Sequence, residues 1–184
     1  MSSASMYIDH FVNDMLDYSI LSKGGEKLEK SISKFDVRKS ISEILEIQED
    51  KIEMKNIDVQ RKFNGFSEMF NICTDKRRFQ QIFLNILSNA AKYTNRNGKI
   101  LIQVELVSAE MVKVSVTDTG RGIKKKDQDK IFKMFGSVVG DEINTNGIGL
   151  GLVISKMIAQ DFGGDVDFFS QYKQGSTFFY TMSI

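Results

Sequence analysis

The sequence predicts an α/β fold, a two-layer sandwich in which a mixed sheet carries its helices on one face. Three observations predict it. Lys99–Val107 and Met111–Thr117 are β-rich runs joined by a short Ser-Ala-Glu turn, which reads as an antiparallel hairpin. After Asp75, a suitable helix N-cap, the apolar residues Phe79, Ile82, Phe83, Ile86, Leu87 and Ala90 recur at helical spacing. A second helix is expected from near Gly149 to Phe162, stopped by Gly163-Gly164 and followed by strands over 165–170 and 176–183.

The elements follow in order. Met6-Tyr7-Ile8, Phe11-Val12, Met15-Leu16 and Ile20-Leu21 place one apolar stripe on a helix over roughly 4–22, which Gly24-Gly25 ends. A helix of that length is marginal alone, so the stripe suits a partner helix. Lys34–Val37 reads as a short strand, and Ile41, Ile44, Leu45 and Ile52 as a helix over about 38–52. Asn56–Gln60 and Met69–Ile72 read as strands around a turn at Asn64-Gly65. Asn97-Gly98 punctuates the chain before the hairpin, whose second strand delivers Asp118 at its end. Residues 136–146 are small and polar without period, as expected of a mobile loop.

Composition narrows the function. With 184 residues, 41% hydrophobic and 27% charged, the chain can bury the core of one ordinary domain plus a short appendage. A net charge of +1, with basic residues scattered apart from Lys124-Lys125-Lys126, gives no reason to expect nucleic acid. One cysteine, Cys73, and one histidine, His10, exclude both an internal disulfide and a Cys/His metal cluster. No run of some 18 apolar residues occurs, so no membrane segment and a cytoplasmic location are expected, whether or not a longer parent is membrane-anchored.

Several residues suit chemistry. Asn85 and Asn89 share one helical face, with Lys92 and Tyr93 a turn beyond. An amide oxygen is a hard ligand fit for Mg²⁺ and an ammonium suits phosphate, although the same spacing fits a plain polar helix face. Asp118 ends a strand just before Gly120 and Gly122, so its carboxylate is held while the backbone leaves room for a flat ligand; a simple Asp-Gly turn would look the same. Gly147-Ile148-Gly149-Leu150-Gly151-Leu152 opens a helix, whose free N–H groups favour phosphate oxygens, and would otherwise be a glycine hinge. It lacks the glycine spacing and preceding strand of a dinucleotide fingerprint.

Taken together, these segments resemble the ATP-binding domain of two-component histidine kinases, within the superfamily that includes gyrase, Hsp90 and MutL. Asn85 to Thr94 is similar to the N box, Asp118 to Ile123 to the first glycine box, Ile131 to Phe135 to the F box, and Gly147 to Leu152 to the second glycine box. Gly175-Ser176-Thr177-Phe178 is similar to the terminal strand motif. The resemblance covers about 75–184 and implies ATP and Mg²⁺. It makes Asn89 the Mg²⁺ ligand, Asn85 a second metal or phosphate contact, and Lys92 and Tyr93 phosphate or ribose contacts, with Asn85, Asn89 and Lys92 as the catalytic set. Asp118 reads adenine, and Gly120, Gly122, Ile123, Thr177 and the 147–152 segment complete the nucleotide site. Residues 136–146 become the ATP lid, anchored at its near end by Phe132 and Phe135. Lys133 stands where bacterial members often carry an acid.

Position 85 separates the members. Gyrase-like and Hsp90-like ATPases place there a Glu that activates water, and an amide cannot take a proton. Asn85 therefore implies a site that holds ATP for a nucleophile with its own reactivity, as a histidine has. Asn13 to Ser19 looks like the end of the second helix of the phosphoacceptor domain, so 1–25 is expected to be a remnant of that domain and 26–184 the catalytic domain. His10 lacks the following acid and proline of an acceptor site. The expected function is the ATP-binding domain of a sensor histidine kinase, possibly of the hybrid type, that phosphorylates a histidine on a missing acceptor helix and cannot label itself. Its expected partners are that helix, a second copy forming the homodimer, and a response regulator or receiver domain. The alternative is a degenerate nucleotide-sensing module that regulates a partner without phosphotransfer.

Overall fold

The computed structural model describes residues 12, 14–23, 28–66, 70–133 and 149–184. Helix α1 (14–21) precedes β1 (Ile32–Asp36), α2 (Val37–Met54), β2 (Asp58–Asn64) and β3 (Asn71–Asp75). There follow α3 (Lys76–Tyr93), β4 (Lys99–Ser108), β5 (Met111–Asp118), the short α4 (Lys125–Gln128), α5 (Gly151–Asp161), β6 (Val166–Gln171) and β7 (Gly175–Ser183). The main sheet has the order β2-β4-β5-β7-β6, with β2 parallel to β4 and every other pairing antiparallel. It is the mixed sheet expected, and the β4–β5 hairpin falls where the alternation placed it.

Alternation along the strands decides which face is covered. Ile100, Ile102 and Val104 of β4, Val112, Val114 and Val116 of β5, and Phe178, Tyr180 and Met182 of β7 are buried on one face. α3 supplies Phe79, Ile82, Phe83, Ile86 and Leu87, each no more than 1% exposed. Each such side chain contributes about 1.5–3 kcal/mol of transfer free energy. A helix cap contributes only about 1 kcal/mol, so packing and not capping determines that α3 forms. Tyr180 is buried with its ring 5.7 Å from Phe79, and its hydroxyl donates to the Phe79 carbonyl at 3.2 Å.

A second, two-stranded sheet pairs β1 with β3 antiparallel, a pairing that local pattern did not indicate. Both strands run into helices through aspartate caps. Asp36 accepts from the Arg38 and Lys39 amides, and Asp75 accepts from the amides of Arg78 at 3.0 Å and Ser31 at 2.8 Å. The cap at Asp36 is why the first strand ends there and Val37, expected in the strand, begins the helix. The turn at Asn64-Gly65 is present, but its flanking strands go to different sheets, β2 to β4 and β3 to β1. The strands themselves lie later than expected, over 58–64 and 71–75.

At the far end of α3, Lys55 donates from Nζ to the carbonyls of Ala91, Lys92 and Thr94 at 2.8, 2.6 and 2.9 Å. A cation suits the negative end of a helix and satisfies carbonyls that have no partner within it. Burial, reinforced by Lys51, lowers the pKa of this lysine.

α1 turns acid inward. Asp17 is buried in an ion pair with Arg78 of α3, and Gln81 donates to Asp14 at 2.8 Å and Asp17 at 2.9 Å. Tyr18, Ile20 and Leu21 pack against the core, whereas Val12, Met15 and Leu16 are exposed. Desolvation offsets much of the attraction in a buried ion pair, so this contact fixes where α1 sits more than it adds stability. His10 and Asn13 lie outside the described residues.

Candidate functional site

Two segments meet at one end of the sandwich, and α3 is their common wall. Near its middle, Asn85 donates from its side-chain amide to the Gly151 carbonyl at 3.3 Å and to Ser155 Oγ at 3.1 Å, which joins α3 to the first turn of α5. At its end, the Tyr93 carbonyl touches the loop after β5. It accepts from the Arg121 amide at 3.4 Å, and a Cβ added at Gly120 would stand 2.4 Å from it. That clash is what requires glycine at 120. Asn89, half-buried, lies between these two contacts and makes no side-chain hydrogen bond to another described residue.

Lys92 and Tyr93 occupy the last turn of α3. The Lys92 ammonium lies 5.2 Å from the Tyr93 ring centre, and the Arg121 guanidinium lies 4.6 Å from the same ring. Two cations beside one aromatic ring give this end of the helix a positive character suited to phosphate. The sequence alone assigns Arg121 no role, because nothing within residues 118–123 shows that its guanidinium comes to rest against Tyr93.

Asp118 closes β5 and is buried at 5% exposure. Its carboxylate accepts from the Gly120 amide at 2.8 Å, which folds the loop back upon it. Burial raises its pKa, opposed by the backbone N–H groups of Gly120 and Ser176. The sign follows from linkage. An acid whose folded pKa exceeds its unfolded value holds its proton more tightly when folded, so its contribution to stability is present at low pH and lost as pH rises through the folded pKa. At neutral pH the buried anion therefore costs stability. Asp118→Asn is expected to be the more stable protein near pH 7, with an advantage that shrinks as pH falls through the carboxyl range. Thermal unfolding of both proteins between pH 4 and pH 8 measures this.

Ser176, not Thr177, shares the Asp118 face. β5 and β7 pair with Asp118 opposite Ser176 and Thr117 opposite Thr177, so alternation directs Thr117 and Thr177 to the other side of the sheet. Their hydroxyls bond to each other at 2.9 Å. Thr177, expected in the nucleotide site, therefore lies on the face away from Asp118, and Ser176 stands beside that carboxylate. Ser176 Oγ meets Ser170 Oγ at 3.0 Å, and Ser170 accepts from the Ile123 amide at 2.8 Å. Gln128 donates to the carbonyls of both Ile123 and Ser170 at 3.1 Å. This polar chain pins the far end of the first glycine loop to β6. Gly122, at φ +62°, passes so close to Gln171 that an added Cβ would lie 2.1 Å from its carbonyl oxygen.

Phe132 is half-buried against the helix-covered face. Its ring lies 5.9 Å from Phe168, which stacks on Phe178 at 5.4 Å, and the Lys156 ammonium stands 4.8 Å from it. On the second glycine box, Gly149 has φ +74°, Leu150 is buried, and Leu152 packs against the core. Leu150 offers α5 no side-chain cap. Phe135, Gly147, Ile148 and the expected lid over 136–146 lie outside the described residues.

Among the described residues no cluster of three or more His, Cys, Asp or Glu side chains stands ready to hold a metal. The amide oxygens of α3 fit Mg²⁺ only in the manner of an ion that keeps its waters and is held largely by phosphate.

The sequence model of the histidine kinase-, DNA gyrase B- and HSP90-like ATPases matches residues 74–184. The chain is 35% identical over 181 residues to hybrid signal transduction histidine kinase B of Dictyostelium discoideum, a match that covers 96% of this chain and 9% of that protein. Full-length ShkA in complex with AMPPNP superposes with a TM-score of 0.77 at 28% identity, covering 93% of this chain and 34% of that one. Histidine kinase ThkA in complex with the response regulator protein TrrA gives a TM-score of 0.69 at 25% identity, covering 96% and 47%. The chain thus spans a small part of the curated relative's length.

Proposed function

Because the chain belongs to the family of histidine kinase-, DNA gyrase B- and HSP90-like ATPases, we propose that it is the Mg-ATP-binding catalytic domain of a two-component sensor histidine kinase, one that donates the γ-phosphoryl group to a histidine other than His10. The observation that carries this reading is the convergence on α3 of the Asp118–Ile123 loop and the start of α5, with Asn85 and not a glutamate at their junction.

Each residue has a part. The Asp118 carboxylate accepts a hydrogen bond from the exocyclic amine of adenine, which guanine does not offer at that position. The N–H groups opening α5 and the Lys92 ammonium face phosphate oxygens. Asn89 supplies an amide oxygen to Mg²⁺, which neutralises phosphate charge when bound. Asn85 cannot act as a general base, so water is poorly activated. In the transfer itself the bond from the γ-phosphorus to the bridging oxygen breaks, a bond to an imidazole nitrogen forms, and ADP leaves. A histidine brings its own lone pair, so positioning and charge neutralisation suffice.

The partners follow from the same reading. The exposed Val12 and, on α1, Met15 and Leu16 suit the apolar seam of a helical dimer, with residues 1–25 belonging to the phosphoacceptor domain. A receiver aspartate accepts the phosphoryl group next, in keeping with the complex formed by ThkA. No described helix is long and apolar enough to cross a membrane. Incubation with γ-labelled ATP, Mg²⁺ and a phosphoacceptor helical domain supplied in trans is expected to put acid-labile phosphate on the acceptor histidine and none on His10. Intact Mg-ATP binding without transfer to any acceptor would favour a nucleotide-sensing module, and label on His10 would overturn the assignment.

A further inference from the structure

We propose that Ser155 is a positioning residue that, together with the acceptor-only Gly151 carbonyl, holds the nitrogen end of the Asn85 amide on α5 and so leaves its oxygen to face the nucleotide; the proposal rests on reading Asn85 as a metal or phosphate contact. A primary amide has two donor hydrogens at one end and an acceptor oxygen at the other, on a nearly symmetric shape. Shape alone does not choose between its two orientations. Its hydrogen-bond partners do.

Both donor contacts of Asn85 go to α5. The bond to the Gly151 carbonyl is 3.3 Å, beyond the usual N–H···O range, and that to Ser155 Oγ is 3.1 Å, within it. Ser155 is 0% exposed and lies one turn after Gly151 on the same helix. A serine inside a helix ordinarily turns to solvent or to the carbonyl four residues back. Here it has no solvent, and its oxygen accepts from α3. Gly151 holds the plane of the amide, since an added Cβ would stand 3.2 Å from both Cγ and Oδ1 of Asn85. The glycine thus gives the amide its slot and, because its carbonyl can only accept, its polarity, while the serine hydroxyl, which could pair with either end, holds the nitrogen through the shorter of the two contacts. With the nitrogen committed to α5, Oδ1 is the end left for a cation or a phosphate-bound water, and no described residue donates to it.

The test compares binding of Mg-ATP, ATP in EDTA and adenosine to the full chain by titration calorimetry. Ser155→Ala should weaken Mg-ATP by roughly threefold to tenfold, the worth of one neutral hydrogen bond. Adenosine, held at the Asp118 end, should bind within about twofold of the parent. Ser155→Cys keeps the buried shape with a much weaker acceptor and should behave as Ser155→Ala does, which guards against misfolding of one variant. In an Asn85→Ala background Ser155→Ala should cause no further loss, because the two act as one unit. Unchanged Mg-ATP affinity, an equal loss for adenosine, or a full additive loss in the Asn85→Ala background would each overturn the proposal. If Asn85→Ala and Asp118→Ala both leave Mg-ATP binding intact, the nucleotide site itself is misplaced, a result distinct from failure at Ser155 alone.

Discussion

Replacing Asp118 with alanine is expected to weaken Mg-ATP binding by about 10- to 100-fold, the range set by losing one hydrogen bond to a charged group. The effect is large for two reasons. Among the described residues Asp118 is the one carboxylate at the junction of β5, β7 and the first glycine loop, and it is buried, so its field is little screened. It also receives the Gly120 amide at 2.8 Å, and alanine would release the loop that lies against Tyr93. Titration calorimetry with Mg-ATP, with circular dichroism to confirm the fold, measures the change. Affinity equal to the parent's would remove Asp118 from the site. Asp118→Asn keeps an acceptor oxygen without the charge and should fall between the two.

Gly175→Ala is expected to lower stability by about 2–4 kcal/mol and to weaken nucleotide binding together with it. Gly175 has φ +122°, a conformation that side chains rarely adopt, and such strain costs about 1–3 kcal/mol. An added Cβ would also stand 2.0 Å from the Asp118 carbonyl oxygen, and overpacking of this kind costs about 1–3 kcal/mol more. Either β7 or the end of β5 must give way. Because Asp118 and Ser176 sit on those strands, the distortion reaches the proposed adenine contact directly. Denaturant unfolding and Mg-ATP titration on the same sample should therefore move together. A variant that loses stability and keeps full affinity would show that β7 alone absorbs the change.

Much of this was legible because it is local. The Asp75 cap, the apolar face of α3 from Phe79 to Leu87, the hairpin of β4 and β5 and the carboxylate at the end of β5 each depend on residues within one element, where period and capping chemistry suffice. The lost information is non-local. No short window shows that β2 pairs with β4 in parallel while β3 turns away to β1. Nor does one show that Lys55 caps a helix ending at Tyr93, or that Asp17 reaches Arg78. Which of Ser176 and Thr177 stands beside Asp118 depends on the register of β7 against β5, which a motif does not contain. Once that register is known, strand alternation puts Ser176 on the Asp118 face.

The pairing of β5 with β7 has an evolutionary consequence. It closes one long loop from Asp118 to Gly175, and within that loop the first glycine turn, Phe132 and α5 are each fastened to the body of the domain. The free energy of closing a loop grows only with the logarithm of its length, about 0.6 kcal/mol for each doubling. A change of length between two fastened points therefore costs little through closure itself, whereas a change at a fastened point also loses a contact. Relatives built on this plan are free to diverge in length between those points while the walls that carry Asp118 and Asn85 stay in place.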